Sequence, residues 1–185
     1  MIVTIVRLYD HHTDGANALQ ELQKAGVPER DISLLSRDDR VTGTATGAEI
    51  GAAVGGLAGL LARLGLITIP GIGPVAAMGW LAATVAGAAA GGWVGGALGV
   101  LSEAGISGEE ANAIAECLRR GATLVMARVL AADKRRYVAI LDRGAIDVEA
   151  RIATYREAGW KSHDSDAAPY TPEEIQRERE LNSRR

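Results

Sequence analysis

The chain has 185 residues, with 23 acidic against 20 basic side chains and a net charge of −3. That length bounds it to one domain, or one small domain with an accessory element, and the near balance excludes a broad basic surface for nucleic acid. The one cysteine, Cys117, excludes an internal disulfide and a multi-cysteine metal site, and the absence of Phe leaves the core to Val, Ile, Leu and Ala.

Residues 2–8 are rich in β-branched side chains, which predicts a short buried strand. No basic segment precedes this apolar stretch, so it reads as a strand and not as a signal peptide, and the expected location is cytoplasmic. A polar loop follows, Asp10-His11-His12-Thr13-Asp14-Gly15. Thr13 or Asp14 is placed to cap a helix over 16–25, where Ala18, Leu19, Leu22 and Ala25 recur at helical spacing. Gly26 stands where a left-handed C′ residue is wanted, and 31–36 reads as a second strand.

Between residues 43 and 101 only Glu49 and Arg63 are charged. Small residues recur there at every fourth position: Gly43, Gly47, Gly51, Gly55 and Gly59, then Gly79, Ala83, Gly87, Gly91, Gly95 and Gly99. On helices each run makes a strip without side-chain bulk, along which backbones approach closely. The turn formers Pro70, Gly71, Gly73 and Pro74 lie midway. The pattern predicts an antiparallel glycine-zipper helical hairpin over 42–102, with Gly59 facing the region of Gly79 and Gly47 the region of Gly91.

Beyond it, an amphipathic helix is expected over 109–120, with Cys117 as a buried thiol. A strand over 122–130, a helix over 133–143 stopped by Gly144, and a last strand over 145–150 echo the first half of the chain. Two such halves give a β-α-β-β-α-β, ferredoxin-like α+β domain. Its boundaries would be 1–37 and 105–150, with 42–102 inserted and a charged tail over 151–185. Thr171-Pro172-Glu173-Glu174 is a helix start in that tail, and Trp160 and Tyr170 are placed to pin the tail to the domain.

Several segments carry a resemblance. They are Gly-Val-Pro-Glu-Arg-Asp-Ile-Ser-Leu-Leu-Ser-Arg (26–37), Leu-Ile-Thr-Ile-Pro-Gly-Ile-Gly-Pro (66–74), Gly-Ile-Ser-Gly-Glu-Glu-Ala (105–111) and Arg-Gly-Ala-Thr-Leu-Val (120–125). With Gly-Trp-Lys (159–161) and Ala-Pro-Tyr-Thr-Pro-Glu-Glu-Ile (168–175), the chain resembles bacterial general stress or heat-induced stress proteins with a glycine-zipper hairpin. The resemblance implies a stress-linked protein and brings no catalytic or ligand residues.

The residues themselves name no reaction. Asp10, His11, His12 and Asp14 are of metal-ligand type, but adjacent histidines diverge and no distant Cys/His pair completes a set. Gly71-Ile72-Gly73 lacks the third glycine of a dinucleotide fingerprint, no phosphate loop is present, and Ser33, Ser36 and Ser102 lie in no nucleophile-elbow context. The expectation is a non-enzymatic structural or interaction protein with no cofactor, no metal and no nucleic acid, self-assembling through its glycine strips. Helices apolar all round must be buried in something. A lipid bilayer, the inner membrane, is the first surrounding considered, with both soluble halves on the cytoplasmic face. The alternative is a soluble, shell- or particle-like homo-oligomer, and a less favoured one is a small-ligand or metal-binding regulatory domain using the Asp10–Asp14 loop.

Overall fold

A computed structural model describes residues 1–37, 65–69, 72–80, 96–103, 105–106, 108–164 and 166–183. Five strands form one antiparallel sheet: β1 (Ile2–Tyr9), β2 (Ile32–Ser36), β3 (Gly65–Ile69), β4 (Gly73–Gly79) and β5 (Thr123–Leu130), in the order β1-β5-β2-β4-β3. The helices are α1 (His12–Lys24), α2 (Gly96–Glu103), α3 (Gly108–Arg119), α4 (Lys134–Leu141), α5 (Val148–Glu157) and α6 (Pro172–Ser183). This is a mixed α+β architecture.

Both faces of the sheet are covered, so its central strands read as continuous apolar runs rather than alternating ones. On one face Ile5, Tyr9, Leu34, Val125 and Ala127 pack with Leu19 and Leu22 of α1 and Tyr137 and Leu141 of α4. On the other, Leu8, Leu35, Leu124 and Met126 pack with Ile114 and Leu118 of α3 and Ile152 and Tyr155 of α5. Burying a side chain of this size contributes about 1.5–3 kcal/mol. Gly15 lets α1 lie close on β5, because a Cβ there would stand 2.7 Å from the Thr123 Cγ2.

The first helix begins earlier than its spacing predicts. His11 is its N-cap, without a side-chain cap bond, and neither Thr13 nor Asp14 serves as cap. Gly26 does take the left-handed conformation, at φ 99°.

Three expectations are corrected. The middle of the expected helical hairpin is a β-hairpin: Ile67 lies opposite Val75 and Thr68 opposite Pro74. β4 then pairs with β2, with Met78 opposite Leu34 and Gly79 opposite Ser33. Gly79 therefore belongs to no helical strip. It ends β4 at φ 77°, where any Cβ would collide with the Ile32 carbonyl oxygen. On the β4 side of the turn Val75, Ala76, Ala77 and Met78 are buried by sheet packing, a solution that residue spacing alone does not distinguish from helix packing.

The expected last strand over 145–150 is also absent. Its first residues bridge to β1 through a single bond, Ile146 N–H to the Leu8 carbonyl at 2.7 Å, and α5 then begins. Asp147 starts that helix by accepting from the Ala150 N–H at 3.0 Å, which satisfies one of the first-turn donors.

The third correction concerns the membrane. Among the described residues no helix is long and apolar enough to cross one. A transbilayer hairpin would also carry its tip about 30 Å away, to the far interface. Instead Ile72 and Val75 beside the turn are buried in the domain core, and the Ile72 carbonyl accepts from Arg37 Nε at 2.8 Å. A tip fastened into the sheet cannot reach the opposite side of a bilayer. The bilayer as partner, and association with the inner membrane, are withdrawn on that ground.

Candidate interaction site

β1 is an edge strand, and its outer edge is only partly closed. The Leu8 carbonyl is taken by Ile146, and the Val6 carbonyl accepts from the Arg7 guanidinium at 2.7 Å. Arg7 is itself held by Asp142 at 2.6 Å. A charged side chain folded over an edge is one way a sheet discourages unwanted pairing.

Where a further strand would have lain, a cleft of about 850 Å³ opens between β1, the first turns of α3, and α5. Val6, Leu8, Ala113, Ile114, Ile146 and Ile152 give it apolar surface, and Trp160 stands at its side. Glu109, Glu110, Glu149 and Arg156 are the charged lining residues of the two helices, with Arg156 3.6 Å from Glu109. The cleft is of ligand size. Its chemistry is that of a receptacle for an apolar group flanked by cations, since carboxylates outnumber guanidinium groups among the charged residues of α3 and α5 that line it.

Trp160 also begins the C-terminal segment, which is strapped across α3. Its ring meets Tyr155 edge-on with centroids 6.5 Å apart. Tyr155 in turn lies under Arg120, whose Cζ is 3.8 Å from the ring centroid. Beneath the strap, Glu116 is buried and accepts from Arg119 Nη2 at 2.8 Å and from Arg120 Nε at 2.7 Å. His163 Nδ1 of the strap stands 3.5 Å from the same carboxylate, long for a hydrogen bond and close enough for an electrostatic contact.

Burial pushes the Glu116 carboxyl up, but His163, Arg119 and Arg120 outweigh it and hold the group well below the ordinary carboxylate range. Farther along, Tyr170 stacks on Arg119 at 4.5 Å and gives its carbonyl to Arg37 at 2.7 Å. Ile175 is fully buried, and Arg179 donates to the Gly121 carbonyl at 2.9 Å. Trp160 and Tyr170 thus pin the strap, as their place in the sequence suggests.

The residues singled out from sequence fare differently. Gly73 and Pro74 lie in β4, Gly79 ends it, and Gly99 lies in α2. Gly43, Gly47, Gly51, Gly55, Gly59, Ala83, Gly87, Gly91, Gly95, Pro70 and Gly71 lie outside the described residues. In the acidic-histidine loop, Asp10 is engaged by Arg151 through two bonds of 2.9 and 3.0 Å, while Asp14 is exposed in the first turn of α1. Among the described residues no group of three or more His, Cys, Asp or Glu is arranged to hold a metal ion. Cys117 is buried in α3, and desolvation pushes its thiol up to about 12. That is an inert core thiol.

Reasoning from sequence missed Glu116, Arg37, Arg151 and His163. Glu116 with Arg119 and Arg120 has the i, i+3 and i, i+4 spacing of a helix ion pair. That spacing usually marks a solvated surface pair, and nothing local announces that a strap will bury it. Compared with family models, with curated proteins and with solved structures, the chain matches none.

Proposed function

We propose that this chain is a non-enzymatic interaction protein that self-associates, without lipid, into a homo-oligomer, in the stress-linked role its resemblance implies. The observation that carries this reading is the anchoring of the glycine-rich middle on the domain. Segments 38–64 and 81–95 each start and finish next to described elements of one α+β unit, and between them they hold few charges. Their composition requires burial, and a single domain of this size offers too little apolar surface to cover them both. Copies of the same chain satisfy that requirement.

The chemistry of the cleft supports the non-catalytic reading. Arg156 pairs with Glu109 and Arg7 with Asp142, Glu110 and Glu149 lie on exposed turns, and Asp147 spends its carboxylate on a helix cap. We further infer that the domain is a variant of the ferredoxin-like fold. In support, β1, α1 and β2 form a split unit with β5 inserted antiparallel between the two strands. The single Ile146–Leu8 bridge then stands where the fourth strand of such a fold would pair.

Sedimentation velocity of the full chain in detergent-free buffer tests the proposal. A particle of several 19.3 kDa chains is expected. A monomer at every concentration would overturn it. Gly51→Leu combined with Gly91→Leu, which adds bulk to both glycine strips, should reduce the particle mass.

A further inference from the structure

Exposed large apolar side chains are not scattered over the described surface. Of Met1, Ile2, Leu130 and Leu181, the first three gather at one end of the sheet. Ile2 lies opposite Leu130 in the β1–β5 register, and the Ala131 N–H donates to the Met1 carbonyl at 3.0 Å. Ile2 is 69% exposed and Leu130 56%. The first turn of α4, next in the chain, presents exposed Lys134 and Arg135, which have no ion-pair partner among the described residues. These cations follow the apolar knob in the chain, with the exposed Asp133 between them and Leu130.

The cleft is complementary to it. Its apolar surface is bordered by the exposed carboxylates of Glu110 and Glu149, which likewise have no ion-pair partner among the described residues. Ile2, Thr4, Val6 and Leu8 share one face of β1, so knob and cleft lie on that face at opposite ends of the strand. Six residue-to-residue steps along the strand separate Ile2 from Leu8 by roughly 20 Å. A copy therefore cannot fill its own cleft.

We propose that the knob of one copy docks in the cleft of the next. The proposal rests on the self-association argued above and names one of its contacts. Ile2 and Leu130 enter beside Ile114 and Ile152, while Lys134 and Arg135 approach Glu110 and Glu149. Apolar burial supplies the affinity, and the charges at the border set orientation and encounter rate. Because the two surfaces differ, the contact is heterologous and repeats from copy to copy into a ring or a filament.

The test uses the full chain in a Cys117→Ser background. One population carries Leu130→Cys, a second carries Val148→Cys, and the two are mixed and oxidised. A disulfide-linked pair is expected from the mixture and from neither population alone. In parallel, Lys134→Glu with Arg135→Glu should weaken association on the order of tenfold. Glu110→Lys with Glu149→Lys should do the same, and all four changes together should restore it. An oligomer that forms no such disulfide and ignores both charge reversals would overturn this contact while leaving self-association standing. A parent chain that is monomeric throughout would remove both.

Discussion

Glu116 shows how far one residue's energetics depend on its surroundings. Removing it leaves the largely buried Arg119 guanidinium without its counter-charge and Arg120 with only Glu178, 3.5 Å away. Breaking a buried pair in this way costs about 3–5 kcal/mol. Glu116→Ala is therefore expected to lower the denaturant midpoint substantially, measured by chemical unfolding. The pH dependence has a definite sign. A carboxyl whose folded value is lowered contributes stability that is fully present above its unfolded value, near 4.5. That contribution is lost as pH falls from there toward the lowered folded value. Wild-type stability should decline through this acid range more steeply than that of Glu116→Gln, whose side chain does not titrate. Equal slopes would show that the carboxylate is not held low. Tyr9 offers a gentler case: its hydroxyl donates to the Leu141 carbonyl at 2.6 Å inside the core. Tyr9→Phe leaves that acceptor unsatisfied and should cost about 1–3 kcal/mol in the same unfolding assay.

Among the elements, α6 is held by shape as well as charge. Gly121 has φ 99°, and the side chain of Ile175 occupies the space a Cβ would need. Two demands thus coincide there, a left-handed backbone and room for a docked helix. Gly121→Ala should release the strap, seen as faster limited proteolysis around Arg177 and Arg179, with β1 and β5 still folded by circular dichroism. Global unfolding at the same temperature would show instead that the strap is integral to the core. The N-terminus of α6 is a reciprocal capping box. The Thr171 N–H donates to Glu174 at 2.8 Å and the Glu174 N–H to the Thr171 hydroxyl at 3.3 Å. A strap that carries its own cap keeps its helix start when lifted from α3, which makes release by Gly121→Ala a local event.

At the scale of the molecule, the unequal covering of the sheet should govern local opening. β5 lies between β1 and β2, and nearly all of its side chains from Thr123 to Val129 are buried. β1 has one open edge and an exposed start. Amides of β5 are expected to exchange only on global unfolding, while those of Ile2 and Thr4, which face the open edge of β1, exchange without opening of the sheet. Mass-spectrometric hydrogen exchange distinguishes the two, and equal protection of both segments would contradict this view of the edge. The same asymmetry places the knob and the cleft on β1, where contact with another copy requires no disruption of the sheet interior.

What the sequence determined by itself is what short-range chemistry governs. Pattern and β-branching identified β1, β2 and β5, Gly26 and Gly144 closed their helices, and Thr171 with Glu174 opened the last one. Each of these signals acts within a turn or two of backbone, so the residues that send it are neighbours in the chain. The identity of residues 65–79 as strands was decided elsewhere. Their apolar runs suit either a tight helix or a buried strand, and the choice came from β2, which is far away in the chain and offered Leu34 to Met78. Residues 145–150 alternate as a strand would, yet the Asp147 cap and the packing of Ile152 and Tyr155 against α3 drew the chain into a helix after one bond to β1. The Glu116 cluster and the cleft likewise arise from segments that meet only in three dimensions. Pairing between distant segments depends on which partners the fold presents, and residue spacing carries no record of them.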